Sequence, residues 1–186
     1  MVNRTDCKFI MGTAQLGAPY GKIVTVWPGS FERARRLIDD AICLGVRDFD
    51  TARGYPNSEV LLGSVLKKHP SARVEVTTKL NFEMFSSETK RARYHAVKGF
   101  IEEEIEAVLE ILGVSNRQLC ILFHRASHAL AENGLAVEVL ADLQKEGYFH
   151  RLGVSVQTIE EAQFCIAQDK FTQMQIPFNI VDRRWE

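Results

Sequence analysis

The strict alternation of strand-like and helix-like segments is the feature that most constrains the fold of this chain. Short apolar or β-branched runs such as 119–123 alternate with segments such as 31–44, whose apolar residues recur at helical spacing before a glycine. A strand that is apolar throughout is typical of a parallel sheet buried on both faces. Because each parallel strand pair needs a crossover, which is usually a helix, the alternation predicts an α/β fold built on one parallel sheet.

The pattern predicts six strands and five intervening helices in a single domain covering residues 1–186. Both a doubly wound sheet and a (β/α)8 barrel satisfy it. The longest irregular piece, 81–96, is polar and follows a strand, so we expect it on the face where such folds bind ligands. The strands are predicted at 8–12, 46–50, 73–78, 119–123, 152–156 and 173–176, and the helices at 31–44, 58–67, 97–112, 135–145 and 160–167.

Composition narrows the class of function. The formal net charge of −1 argues against a basic surface that binds nucleic acid. No apolar run approaches the roughly 18–20 residues that span a membrane. The amino terminus lacks the apolar segment of a signal peptide. The cysteines form no C-x-x-C pair, so we expect reduced, largely buried thiols in a cytoplasmic protein; they are Cys7, Cys43, Cys120 and Cys165. No H-x-H or H-E-x-x-H motif occurs, which argues against a metal-dependent hydrolase.

Polar side chains cluster where the predicted strands end. Asp50 ends the second strand and Lys79 follows the third. His124 follows the fourth strand, and Ser155 lies near the end of the fifth. In a barrel the carboxyl ends of the strands converge on one mouth, where active sites lie. Packing alone does not readily explain ionisable or hydroxyl groups at four successive strand ends, so these positions form the candidate site.

Each of these residues also has a structural interpretation. Asp50 could simply cap a turn, and Tyr55 could be an aromatic residue that covers the rim of the barrel. Lys79 could be a solvated lysine, and His124 could be a buried histidine whose hydrogen bonds are satisfied. The three glutamates at 102–104 are interpreted as a solvated helix face.

The motifs around these positions resemble those of the aldo-keto reductases. Residues 50–63, with D-T-A-x-x-Y, then N-S-E and L-G, look like the family's most distinctive signature. Thr77-Thr78-Lys79 resembles the segment that supplies its lysine, and Leu122-Phe123-His124 the segment that supplies its histidine. Further matches follow in the family's order at 11–17, 152–155 and 173–175, so the resemblance runs from about residue 9 to 182.

The resemblance implies a (β/α)8 barrel of the TIM type and NADPH-dependent reduction of a small aldehyde or ketone without a metal. Tyr55 would be the general acid that protonates the carbonyl oxygen, and Lys79, paired with Asp50, would lower the pKa of its phenol. His124 would hydrogen-bond the substrate carbonyl. By the same resemblance, the residues at the cofactor would be Gly12, Thr13, Asp50, Ser155 and Gln175.

Two residues and the length depart from the family's pattern. Pro56 follows the tyrosine where glycine is commoner, and Val156 replaces an asparagine, which removes a potential amide contact to the nicotinamide. A complete barrel needs roughly 250 residues, so we expect a barrel truncated after about the sixth strand that self-associates through its open edges. The alternative function is a non-catalytic binding or regulatory protein derived from the same fold. A further alternative is an unrelated α/β binding protein.

Overall fold

One parallel sheet organises the molecule, which we describe from a computed structural model covering residues 8–19, 29–80 and 90–185. Its strands are β1 (Ile10–Gly12), β2 (Asp48–Asp50), β3 (Glu75–Leu80), β4 (Leu119–Phe123), β5 (Arg151–Ser155) and β6 (Gln173–Gln175). Every pair is parallel, and the order across the sheet is β1-β2-β3-β4-β5-β6. A doubly wound sheet changes direction at a switch point, whereas a barrel keeps its strands in chain order. The structure is therefore a half-barrel, which confirms the barrel-type prediction.

Helices connect successive strands and form the outer layer. They are α1 (Phe31–Cys43), α2 (Ser58–Leu66), α3 (Lys90–Leu112), α4 (Ala126–Leu130), α5 (Leu135–Lys145) and α6 (Ile159–Ala167). The start of α6 has a capping box, in which the Thr158 hydroxyl accepts from the backbone of Glu161 and the Glu161 carboxylate accepts from the backbone of Thr158. Helix α1 starts in a similar way, because the Ser30 hydroxyl accepts from the Arg33 N–H.

Two helical features differ from the sequence prediction. Helix α3 begins at Lys90, well before the predicted residue 97, and the short helix α4 is not among the predicted helices. The polarity of residues 90–96 suggested an irregular segment, but this stretch contains no glycine or proline that would stop a helix. Tyr94 also anchors it, since its hydroxyl donates to Asp142 on α5 at 2.8 Å. The rest of the predicted irregular segment, 81–89, lies outside the described residues.

The core lies between the sheet and the helices. All five residues of β4 are buried, as the uninterrupted apolar run predicted. Helices α2 and α3 approach so closely that a Cβ built on Gly63 would lie 2.0 Å from the Ile111 carbonyl oxygen. Cys120 and Cys165 are buried while Cys43 is exposed, and all three are free thiols. Burial raises the pKa of the Cys120 thiol to about 11. Cys7 lies outside the described residues.

Within the described residues, every helix is too short or too polar to span a membrane.

The two outer strands of the sheet, β1 and β6, each pair on one side only within the described residues. Apolar side chains at both strands are exposed to solvent: Phe9 just before β1, Ile10 on β1, and Ile176 and Phe178 beyond β6.

Candidate active site

Polar side chains from four strands, and from the segments that directly follow strands, meet at the carboxyl edge of the sheet. Because the strands are parallel, Asp50 on β2, Lys79 on β3 and Ser155 on β5 project from the same end of the barrel. They surround a cavity of about 360 Å³, near the lower limit of typical ligand sites. Its lining comprises Asp50, Tyr55, Lys79, His124, Arg125, Ser155, Gln157 and Gln175.

An ion pair forms the floor of this cavity. The ammonium of Lys79 donates to both carboxylate oxygens of Asp50, at 2.7 and 2.6 Å, and to the Thr51 carbonyl at 3.1 Å. The Gln175 amide donates to the same carboxylate at 2.6 Å, which fixes it further. Burial lowers the pKa of Lys79, while the charge and hydrogen bonds of Asp50 act in the opposite direction. A lone buried ammonium would be strongly disfavoured, so Asp50 is what allows a cation at this position.

Tyr55 lies against both the lysine and the histidine. The Lys79 nitrogen is 5.4 Å from the centroid of the Tyr55 ring, within the range in which a cation is attracted by an aromatic face. The rings of Tyr55 and His124 meet edge to face, with centroids 5.9 Å apart and planes 87° apart. A phenol, an ammonium and an imidazole therefore share one cavity.

The environment of His124 favours one neutral tautomer. Burial lowers the pKa of this histidine most, and the positive charge of Lys79 lowers it further. The neutral imidazole therefore predominates near pH 7. Its Nδ1 atom is buried and has no hydrogen-bond partner among the described residues. An orphaned buried N–H is rarer than an orphaned acceptor, which favours placing the proton on Nε2. The ring can then offer its Nε2–H as a donor.

The turn that carries Tyr55 is held by the opening segment of the chain. A Cβ built on Gly17 would lie 1.8 Å from the Pro56 carbonyl oxygen, so only glycine fits at this contact. The Asn57 amide donates back to the Gly17 carbonyl at 3.3 Å. Asn57 adopts a left-handed conformation (φ 59°), which asparagine tolerates better than most residues. The glycine at 17 thus positions the tyrosine turn.

The residues expected at the cofactor occupy different environments. Ser155 and Gln175 are register partners on β5 and β6, and both line the cavity. Gly12 and Thr13 lie outside that lining as described; Thr13 is buried, and its hydroxyl donates to the Asp50 carbonyl at 3.0 Å. This contact makes Thr13 a support for Asp50.

The departure from the family pattern at Val156 has a structural counterpart. Its side chain is completely buried in the core, whereas the next residue, Gln157, lines the cavity.

A network of buried polar side chains lies next to the site, where Thr78 precedes Lys79 on β3. The sequence did not predict this network. Glu59, which is 5% exposed, accepts from the Thr78 hydroxyl at 2.7 Å and from Arg53 at 2.9 Å. Arg53 also donates to Glu104 at 2.8 Å. Interpreting 102–104 as a solvated face was therefore wrong for Glu104, which is half-buried and paired. These hydrogen bonds join α2, α3, β3 and the turn after β2, and Glu104 lies 51 positions from Arg53 in the sequence.

Arg125 and Gln157 are two further lining residues that sequence reasoning did not single out. Arg125 follows His124 directly, and Gln157 lies two residues beyond the end of β5. The rule that identified Asp50 and His124, placement at or just beyond a strand end, would also have identified Arg125. Among the described residues, no group of three potential metal ligands occurs.

Comparison with known proteins identifies related chains. The family model described as the aldo/keto reductase family matches residues 8–186. The NADH-specific methylglyoxal reductase of Escherichia coli (strain K12) is 27% identical over 175 residues, covering 86% of this chain and 53% of that protein.

Solved structures agree on the fold. An aldo-keto reductase from Bacillus halodurans, in its holo form, matches with a TM-score of 0.70 and 20% identity over 95% of this chain and 55% of its own. The glycerol dehydrogenase of Gluconobacter oxydans matches with a TM-score of 0.67 and 23% identity over 94% of this chain and 52% of its own. The chain thus spans about half the length of these relatives.

Proposed function

This chain belongs to the aldo/keto reductase family, and we propose that its site reduces an aldehyde or a ketone to an alcohol with Tyr55 as the general acid. The observation that carries the proposal is the contact between Tyr55 and the Lys79 ammonium, which Asp50 holds in a cavity that also contains His124. In the structural alternative each residue would have its own local role. The shared cavity supports a common one.

The proton steps follow from the surroundings of each group. The Nε2–H of His124 donates to the carbonyl oxygen of the substrate and polarises it. The Tyr55 hydroxyl transfers its proton to that oxygen as the carbon is reduced, and solvent later returns the proton to the tyrosine. Lys79 stabilises the phenolate left behind, because a neighbouring ammonium favours the charged form of a phenol. Asp50 keeps Lys79 protonated and fixed.

The polar residues on β5 and β6 fit the nicotinamide end of a dinucleotide. A carboxamide both donates and accepts hydrogen bonds, and Ser155, Gln157 and Gln175 bring a hydroxyl and two amides to the same cavity wall. These residues would hold the ring, and the bound cofactor would supply the hydride. The resemblance also implies contacts from Gly12 and Thr13 to the cofactor, although both residues lie outside the described cavity lining. The cofactor proposed from the resemblance is NADPH. A relative is named NADH-specific, so both nucleotides belong in the test.

An assay that follows the oxidation of the reduced nicotinamide cofactor tests this function. The complete polypeptide that the gene encodes is incubated with small aldehydes and either NADPH or NADH, and the loss of nicotinamide absorbance is followed. Aldehyde-dependent oxidation with alcohol as the product supports the proposal. Tight nucleotide binding without turnover of any aldehyde or ketone would instead favour the alternative, a non-catalytic binding or regulatory protein of the same fold.

We further propose that a polypeptide limited to these 186 residues self-associates through β1 and β6. Both strands have an unpaired edge in the described structure. The side chains of Ile10 on β1 and of Phe9, Ile176 and Phe178 next to the two strands are exposed. Unpaired strand edges with apolar neighbours promote pairing between chains.

The free thiols on α1, β4 and α6 support our expectation of a reducing, cytoplasmic location.

A further inference from the structure

We propose that Arg125 makes this site selective for carbonyl substrates that carry a carboxylate group. The inference rests on the proposed function, since it names the substrate class for the same site. Arg125 directly follows His124 at the carboxyl end of β4, and it lines the same cavity as the Asp50–Lys79 pair.

The charges around the cavity leave Arg125 uncompensated. Asp50 and Lys79 are held together at 2.6 Å and neutralise each other, and burial favours the neutral form of His124. The Arg125 side chain is exposed and forms no hydrogen bond or ion pair with any residue in the described ranges. The described lining therefore offers an entering anion one unmatched positive charge.

The shape of the charged group points to a carboxylate. A guanidinium presents paired N–H donors that match the two oxygens of a carboxylate. Because the cavity holds only about 360 Å³, a carbonyl at His124 and an anion at Arg125 fit within one short molecule, such as an oxo acid.

A phosphate of the cofactor is a second source of the same negative charge. We favour the substrate because Arg125 adjoins His124, the proposed carbonyl donor, on β4. The proposed cofactor contacts, Ser155 and Gln175, lie on β5 and β6.

The kinetic test compares carboxylate substrates with methyl esters that lack their negative charge. Glyoxylate and 4-oxobutanoate are each assayed beside their methyl esters with the complete polypeptide and its Arg125→Gln and Arg125→Lys variants. We expect Arg125→Gln to lower the acid-to-ester ratio of kcat/KM by roughly 10- to 100-fold, as loss of a hydrogen bond to a charged group would, and Arg125→Lys to restore part of it. Arg117→Gln, which removes an exposed arginine at the opposite end of β4, should leave the ratio unchanged. An unchanged ratio in Arg125→Gln would overturn the proposal. So would weaker nucleotide binding with no change in that ratio, because the anion would then be the cofactor's phosphate.

A binding experiment tests Arg125 even if no carbonyl compound is reduced. The imidazole NMR signals of His124 are followed while butanoate, or butanamide as its neutral counterpart, is added. Saturable shifts with butanoate in the original chain and in Arg125→Lys, but not in Arg125→Gln or with butanamide, support the carboxylate site. Equal responses to the two compounds, or no saturable response to butanoate, overturn it. Absence of turnover with every acid and ester counts against the proposed function alone.

Discussion

Asp50 holds the ammonium of Lys79 with both of its carboxylate oxygens, at 2.7 and 2.6 Å, where only 3% of the lysine is exposed. The pair joins the ends of β2 and β3 and points a cation at the ring of Tyr55. A cation that is buried, paired and next to a phenol is expected where a phenol must release a proton. The pair therefore connects the fold of the strands to the proposed chemistry.

Replacing Tyr55 by phenylalanine removes only the hydroxyl that is proposed as the acid. We expect carbonyl reduction to fall by several hundred-fold or more, within the roughly 10²–10⁴-fold that general acid catalysis contributes. Nucleotide affinity should change little, because the ring and its contacts with Lys79 and His124 remain. Steady-state kinetics and nucleotide titration of the complete polypeptide measure both effects. Unchanged turnover would eliminate Tyr55 as the acid.

Replacing Lys79 by methionine removes the cation next to the phenol. We expect the maximal rate to fall and the apparent pKa of the alkaline limb of the pH–rate profile to rise, since a phenol without a neighbouring cation releases its proton less readily. The pH dependence of kcat/KM measures this change. Lys98→Met is the matched control, because Lys98 pairs with Glu146 at the surface between α3 and α5. A profile that is the same in all three proteins would refute the proposed role of Lys79.

Asp50→Asn tests how the charge of Lys79 is maintained. Burial lowers the pKa of Lys79 and Asp50 raises it, so removing the carboxylate leaves burial unopposed and the pKa should fall further. Lysine then loses its proton at a lower pH than in the original chain. NMR titration of the Lys79 side chain measures this directly, without any enzymatic assay. Asp48→Asn, the same change on the same strand at the Lys8 ion pair, should leave the titration of Lys79 where it was.

Much of the sheet and part of the site could be predicted because they follow from local patterns. Apolar runs and helical spacing located the strands and the main helices, and parallel strands necessarily end at one edge. That rule alone was enough to expect Asp50, Lys79 and His124 near one another. The alternation alone fits both a barrel and a doubly wound sheet. The resemblance to the aldo-keto reductases favoured the barrel, and the strand order confirms it.

The contacts that support the site could not be predicted because they join distant parts of the chain. Arg53 donates to Glu104, which lies 51 positions away in the sequence. Gly17 packs against the Pro56 carbonyl, which belongs to a distant part of the sequence. Neither contact has a periodic or local signal in the sequence. The early start of α3 was missed for a different reason: a polar segment can be a helix when one side chain, here Tyr94, anchors it.

The exposed edges of the sheet predict association of the 186-residue polypeptide. We expect sedimentation to show dimers or larger species and a dye for apolar surface to bind. Ile10→Lys should shift the distribution towards monomer, because a charge on an edge strand opposes pairing. Leu44→Lys changes an equally apolar, exposed residue at the end of α1 and should not have this effect. A monodisperse monomer that binds no dye would contradict the proposal.

Two glycine-to-alanine changes should alter stability in opposite directions. At Gly63 the new methyl group would lie 2.0 Å from the Ile111 carbonyl oxygen and 2.9 Å from the Leu112 Cα, so α2 must move away from α3. We expect a loss of about 1–3 kcal/mol in the free energy of unfolding, as for other overpacked contacts. At Gly99, inside α3, nothing lies within 4 Å of the added carbon, and alanine should stabilise the protein by about 0.4–1 kcal/mol because it restricts the unfolded chain. Urea denaturation measures both changes as shifts in midpoint at constant slope.

Since α2 begins only three residues after Tyr55, Gly63→Ala should also lower carbonyl reduction, whereas Gly99→Ala should not. Equal stabilities for the two variants would mean that α2 and α3 pack less closely than their backbone contact indicates.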